Sequence, residues 1–261
     1  MNSEASDAAD WARTLKSDWQ KRSQSPSRDF FIASHPGWDN PQRWQEEAVS
    51  AVNSFLLGID RDGLRNVNTL EIGCGVGRLA PVLLDVVGSY TGIDIAPGMI
   101  EEARRRCADL DAARFFEGDG LSIPAAARDR EYGLVLAIAV FIHCPQEVIA
   151  SILRDAWELL GPGGVLRAQF RGDSNDPHGI DPGSAEAAVQ MQETAAQVQE
   201  EVTKEQADLI DDHPYMGHAF AHEELRSFLS RELPAAEATL FRPDPFCIYA
   251  ALTHATAGNS D

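Results

Sequence analysis

Glycines at alternate positions right after a short apolar run constrain this chain more than anything else in it. Val67–Ile72 leads straight into Glu71-Ile72-Gly73-Cys74-Gly75-Val76-Gly77, and a helix is expected next, near Arg78–Val86. A strand, a glycine loop and a helix in that order bring backbone N–H groups and a positive helix end close to a ligand, with no side chains in the way. A nicotinamide-binding fingerprint would need its third glycine at position 78, which is Arg78. The loop therefore favours a ligand without a pyrophosphate.

Downstream the same alternation continues. Apolar runs at Tyr90–Ile95, Arg114–Glu117, Gly133–Ala139 and Val165–Phe170 are separated by helical patterns at Pro97–Leu110 and Gln146–Leu160. Such alternation means βαβ units and a mostly parallel sheet buried on both faces, an α/β fold. Two short strands near Ala238–Phe241 and Phe246–Leu252 follow a helix at His222–Leu229 and finish the sheet as a hairpin, and Ala255–Asp261 reads as a frayed tail. Helices at Ala8–Lys21 and Pro41–Leu57, joined by a loop holding Phe30, Phe31, His35 and Trp38, form a candidate cap, so residues 1–66 are read as a helical cap and 67–261 as the α/β domain. Residues 173–222 interrupt the domain as an acidic helical insertion. Its apolar stripe, Ala188, Met191, Ala195, Val198, Val202 and Leu209, lies across the sheet or against a partner.

The strand Tyr90–Asp94 ends in a carboxylate about 20 residues past the loop, where it can accept hydrogen bonds from both hydroxyls of a ribose. A third strand ends in Glu117-Gly118-Asp119-Gly120, where a carboxylate or backbone amide could read the amino edge of adenine. Asp119 is equally suited to a tight turn of its own loop. Together the three strand ends make a nucleoside site at the carboxyl edge of the sheet.

On these residues the chain resembles the class I S-adenosylmethionine-dependent methyltransferases over residues 67–172. The Glu71–Gly77 loop, the run Ile93–Arg104, Gly118–Gly120, Ile142-His143-Cys144-Pro145 and Leu160–Gly164 arrive in that family's order. The resemblance implies a three-layer Rossmann-like core around a seven-stranded sheet whose last strand is antiparallel. It implies S-adenosyl-L-methionine as cofactor and S-adenosyl-L-homocysteine as product. By the same resemblance Glu71 and the Gly73, Gly75 and Gly77 backbone would hold the methionine part, Asp94 the ribose, and Ile95 and Met99 the adenine face. Asp119 and Gly120 would flank the adenine edge, and Ala137 would line the site from the fourth strand. One strand departs from the family pattern, reading Tyr132-Gly133 where an acidic residue is common.

Charge narrows the acceptor. The formal net charge of -19 repels a phosphate backbone and no basic stripe offsets it, so nucleic acid is not expected as partner. No run is long and apolar enough for a membrane span and no basic leader precedes one, which predicts a cytoplasmic protein; the resemblance implies methyl transfer to an O, an N or an electron-rich aromatic C of a small molecule. The four cysteines lie far apart, and neither a disulfide framework nor a metal site is expected.

His143 follows the fourth strand closely and is the first candidate for a general base, with orientation of its loop or of the next helix as the competing role. His213, Tyr215, His218 and His222 cluster before the last helix, and Tyr215 and His218 are candidate acceptor contacts. Phe30, Phe31 and Trp38 could offer an aromatic face to a sulfonium or could simply pack the cap. The insertion is a candidate homodimer surface, and its acidity could attract a cationic acceptor. Two other functions fit fewer features: a catalytically silent nucleoside- or partner-binding module, and a nicotinamide oxidoreductase.

Overall fold

The computed structural model describes residues 2–33, 38–181, 193, 206 and 217–255. Within them seven strands form one sheet: β1 (Asn68–Ile72), β2 (Ser89–Asp94), β3 (Ala113–Glu117), β4 (Tyr132–Ala137), β5 (Leu160–Arg171), β6 (Ala236–Phe241) and β7 (Cys247–His254), in the order β3-β2-β1-β4-β5-β7-β6. The ladders among β1 to β5 are parallel, and β7 runs antiparallel to both β5 and β6. The expected α/β architecture, with an antiparallel last strand and a closing hairpin, is the one observed.

Alternation along each central strand divides the core. Leu70, Ile72, Ile93, Val135, Ala137, Leu166 and Phe170 face one side. There they meet α7 (Gln146–Trp157), α8 (His222–Glu232) and Leu15 of α1 (Asn2–Gln24). Tyr90, Leu134 and Leu136 face the other side, with α3 (Pro41–Phe55), α5 (Ala80–Leu84) and α6 (Pro97–Arg106). α2 (Arg28–Ile32) and α4 (Arg61–Leu64) complete the helices before β1.

Local chemistry explains the element bounds. Asn40 accepts hydrogen bonds from the N–H groups of Gln42 and Arg43, and Pro41 supplies a preset φ, so α3 starts sharply. α5 is shorter than its periodicity suggests: residues 75–79 are spent in turns, including a Gly77 N–H to Cys74 carbonyl bond of 2.9 Å, before the helix begins at Ala80. α1 is longer than expected at both ends. The apolar stripe of the insertion falls outside the described residues, as do His35, His213 and Tyr215.

Candidate functional site

The loop after β1 wraps the carboxyl end of β2. Gly73 and Cys74 both donate their N–H groups to the Ile93 carbonyl, at 2.7 and 2.9 Å. Gly73, Gly75 and Gly77 take φ of 70°, 52° and 75°, a region that side chains disfavour. Space forbids them too: a Cβ on Gly73 would lie 2.1 Å from Val140, and one on Gly77 would lie 3.0 Å from the Cys107 sulfur. The third glycine thus serves packing against α6 and β3. Two of the loop's N–H groups are already committed to Ile93, so the loop offers a ligand fewer donors than its glycines alone suggest.

Asp94 ends β2 and ties the site together. One carboxylate oxygen accepts the Gly75 N–H at 2.9 Å and the other accepts the Ala96 N–H at 2.8 Å. Each oxygen has a second lone pair, so a pair of neighbouring hydroxyls can be added without displacing either bond. Burial pushes the carboxyl up to about 6, against the opposing pull of the Ala96 and Gly75 N–H groups. Hydroxyl donors would favour the charged form. Binding of a cis-diol should accordingly weaken as pH falls below about 6.

The neighbouring strand end lies beside it, with the Gly118 N–H donating to the Asp94 carbonyl at 2.8 Å. Gly120, at φ 81°, approaches Ile95 so closely that a Cβ there would meet Ile95 Cδ1 at 2.5 Å. Asp119 accepts from the N–H groups of Leu121 and Ser122, both at 2.8 Å, and from the Ser122 hydroxyl at 3.0 Å. Its carboxyl lies below its usual value, because those donors outweigh its partial burial. The turn reading of Asp119 is therefore realised. Ala137 is fully buried at the end of β4, beside Ile72 in the ladder.

Glu71 lies beneath the loop. Its buried carboxyl accepts the Tyr90 hydroxyl at 2.5 Å within the layer that holds α3, α5 and α6. Burial raises it to about 7, with the Tyr90 bond and Arg78 pulling it partly back and Asp94 adding to the rise. The folded protein thus keeps a proton that the unfolded chain releases near pH 4.5, so this group lowers stability as pH rises from 4.5 to about 7. Glu71→Gln removes that titration. Its stability relative to the native protein should grow by about 3 kcal/mol between pH 4 and pH 8, read by urea unfolding across the series. A constant difference would mean that Glu71 does not hold its proton.

His143 closes a 3₁₀ turn, Phe141–His143, just past β4. The ring of Trp19 in α1 meets it edge-on at 5.3 Å between centroids. The turn is reached through Ala139, the one described non-glycine residue with positive φ, at 56°. Its N–H is held by Gln169 Oε1 at 3.0 Å. Gly217 packs so tightly on this turn that a Cβ would lie 1.9 Å from the Ile142 carbonyl oxygen, and the next N–H, of His218, donates to the Cys144 carbonyl at 3.1 Å. His218 Nε2 lies 2.7 Å from Gln146 Nε2 and 2.8 Å from Glu224, so its ring faces α7 and α8. His143 and His218 are thus joined through one backbone seam.

The sequence marks a candidate cap without its contacts. Ala12 of α1 stands over Gly120, Gln20 accepts the Gly98 N–H at 3.0 Å, and Ile32 of α2 rests on Gly75. Trp19, Ile32 and Trp44 pack on Val76, Ala96 and Met99. Arg28 and Arg106 tie the roof down through Glu102 and Asp29. Phe31, expected as an aromatic face for a cation, already carries the Arg22 guanidinium at 4.7 Å. The spacing Ala8, Ala12, Leu15, Trp19, Arg22 marks one face of α1 but not the residues it meets. Among the described residues no group of His, Cys, Asp or Glu could hold a metal ion.

The site thus joins a carboxylate with lone pairs to spare to a glycine loop whose Gly73, Cys74, Gly75 and Gly77 N–H groups are bonded within the protein. Residues 69–164 match the model of a methyltransferase domain family. The chain is 38% identical over 91 residues to a malonyl-[acyl-carrier protein] O-methyltransferase of Acetivibrio thermocellus, covering 34% of this chain and 31% of that one. It is 31% identical over 150 residues to a ubiquinone biosynthesis O-methyltransferase of Azorhizobium caulinodans, covering 52% and 58%. The chain thus matches less than two thirds of the length of these relatives. Its fold resembles that of DhpI in complex with SAH (TM-score 0.59, 16% identity, 94% and 97% covered). It also resembles magnesium protoporphyrin IX methyltransferase from Synechocystis with bound SAH (TM-score 0.53, 14% identity, 92% and 93% covered).

Proposed function

We propose that this chain, whose residues 69–164 match a methyltransferase domain, is a class I S-adenosylmethionine-dependent methyltransferase that transfers a methyl group from S-adenosylmethionine to an oxygen of a small-molecule acceptor. The observation that carries the reading is Asp94, a half-buried carboxylate at the end of β2, bonded to the glycine loop on one side and to Ala96 on the other. The oxygen acceptor rests on the relatives, which are O-methyltransferases by name.

The cofactor supplies a methyl group on a positively charged sulfur, open to direct displacement. The chain's part is to bind and to aim. Asp94 receives the ribose hydroxyls, Ile95 and Gly120 flank the nucleobase with Asp119 at its edge, and the Gly73, Gly75 and Gly77 backbone shapes the floor for the amino-acid end. Glu71 supports that floor from below through Tyr90, and Ala137 borders the methyl side. Holding the acceptor oxygen about 3 Å from its target replaces a bimolecular encounter and supplies most of the rate enhancement. His143 takes the acceptor proton, Trp19 limits how its ring turns, and His218 with Tyr215 contacts the acceptor. The helices of residues 1–66 cap the nucleoside, and residues 173–222 select the acceptor.

Two measurements test this. Calorimetry should detect S-adenosylhomocysteine binding and no comparable NAD(P) binding. A panel of phenols, carboxylic acids and amines should give O-methyl products together with S-adenosylhomocysteine. Tight NAD(P) binding without S-adenosylhomocysteine binding sinks the cofactor reading, and exclusive N-methylation sinks the acceptor atom. For the base, His143→Ala should lower kcat by roughly 10²- to 10⁴-fold with S-adenosylhomocysteine affinity near the native value. Unchanged turnover between pH 6 and 9 would remove His143 from proton transfer.

A further inference from the structure

Strand β4 leaves the sheet before its neighbour does. The ladder between β4 and β5 ends at Ala137 and Ala168, while β5 runs on to Arg171 against β7. Two residues past the last rung, the exposed Ala139 still has its N–H bonded, and the acceptor is a side chain, Gln169 Oε1 at 3.0 Å. Gln169 is 8% exposed, and its Nε2 donates to the Cys247 sulfur at 3.0 Å. A backbone donor on one side and a sulfur on the other set which way round the amide lies. Burial pushes the Cys247 thiol up to about 12. A neutral thiol accepts weakly, so this bond orients the amide more than it adds stability.

The residue that Gln169 holds is costly to hold. Ala139 sits at φ 56°, in the left-handed region, where a Cβ crowds the carbonyl that follows, and the penalty is comparable with the gain from one hydrogen bond. Without that bond the ordinary backbone regions compete. Two contacts depend on the outcome. Val140 lies directly on Gly73, where a Cβ would come within 2.1 Å of its Cγ2. The Val140 carbonyl also accepts the His143 N–H at 3.0 Å. The far end of this turn is fastened separately, by the His218 N–H on the Cys144 carbonyl. Gln169 therefore governs the near end, where the turn meets the glycine loop.

We propose that Gln169 is a positioning residue for methyl transfer: by holding Ala139 left-handed, it sets Val140 on the glycine loop and, in the same act, the turn that carries His143. The inference rests on the S-adenosylmethionine reading above. The cofactor side and the acceptor side of the cleft then share one support, a side-chain carbonyl that continues the β5 ladder after β4 has turned away. A molecule in which Ala139 relaxes loses both arrangements together. Apparent cofactor affinity falls by the fraction of molecules still held, and transfer falls further because the turn is misplaced as well.

The test is a rescue. Gln169→Leu keeps most of the bulk and removes the acceptor oxygen. It should weaken S-adenosylhomocysteine binding roughly 3- to 10-fold by calorimetry, and lower kcat roughly 10- to 100-fold on any acceptor that the panel yields. Adding Ala139→Gly removes the left-handed penalty. Measured against Ala139→Gly alone, the double variant should therefore show no more than about half of the loss in log Kd. A residue that merely packs gives no such recovery. Native affinity in Gln169→Leu, or a double variant that keeps the full loss, overturns the proposal. If circular dichroism shows Gln169→Leu unfolded, hydrogen exchange on the native protein decides. The Ala139 amide, though exposed, should exchange at least roughly 10-fold more slowly than an unbonded amide, and exchange at the unbonded rate overturns the proposal. Native protein that binds no S-adenosylhomocysteine would instead sink the cofactor reading itself.

Discussion

Asp94→Ala should weaken S-adenosylhomocysteine binding by about 2 to 4 kcal/mol, roughly 30- to 1000-fold in Kd. Two losses combine in that figure. The ribose hydroxyls lose a charged acceptor that is shielded from water, and the loop loses the bond that sets Gly75. Asp94→Asn separates them, because the amide keeps one acceptor oxygen but turns an N–H₂ group toward an N–H donor of Gly75 or Ala96. It should bind the nucleoside nearly as poorly while melting close to the native temperature. Affinity unchanged in both variants would remove Asp94 from the site. The pH dependence gives an independent check: native affinity should decline below about pH 6, where Asp94 takes up its proton, and the Asn variant should be flat there.

Arg242→Met should destabilise the fold by about 3 to 5 kcal/mol, the cost of leaving a buried charge without its partner. Arg242 is 1% exposed in the turn between β6 and β7. It pairs with the buried carboxylate of Asp176, donates to the Asp173 carbonyl, and donates to the Pro245 carbonyl at 2.9 Å. Its own backbone is bonded to Asp181 in both directions. Asp176 also accepts the His222 N–H at 2.6 Å, where α8 begins. One guanidinium thus fastens the segment after β5 to the last hairpin and to the final helix. The measurement is the urea midpoint of the variant, alone and combined with Asp176→Asn. The double variant should recover part of the loss, since it no longer buries an unpaired carboxylate. A loss under 1 kcal/mol, or no recovery, would mean that the hub does not hold this region.

How far the residues alone could be read differs along the chain. The strands of the sheet were legible because a parallel sheet buried on both faces leaves continuous apolar runs, and because Gly73, Gly75 and Asp94 sit at fixed distances along one βαβ unit. Asp119 was legible in place but ambiguous in role, since a carboxylate two residues from a backbone N–H serves its own turn as readily as a ligand. Glu71 was read toward the cofactor on the family's pattern. Strand alternation puts its side chain against Tyr90, a pairing that requires knowing which face of β1 meets which face of β2.

The roof shows why the remainder was hidden. Trp19, Asp18 and Arg22 precede the first glycine of the loop by some fifty residues, and an apolar-polar stripe on a helix does not reveal what it covers. Local order in the sequence, with its short-range steric and hydrogen-bonding rules, determined the βαβ core, the glycine loop and the carboxylate at the end of β2. Only the tertiary structure decided that Gln20 of α1 meets Gly98, that Ile32 meets Gly75, and that His143 meets Trp19. Those contacts join segments distant in sequence, and their energy comes from burying surfaces against each other once the sheet exists.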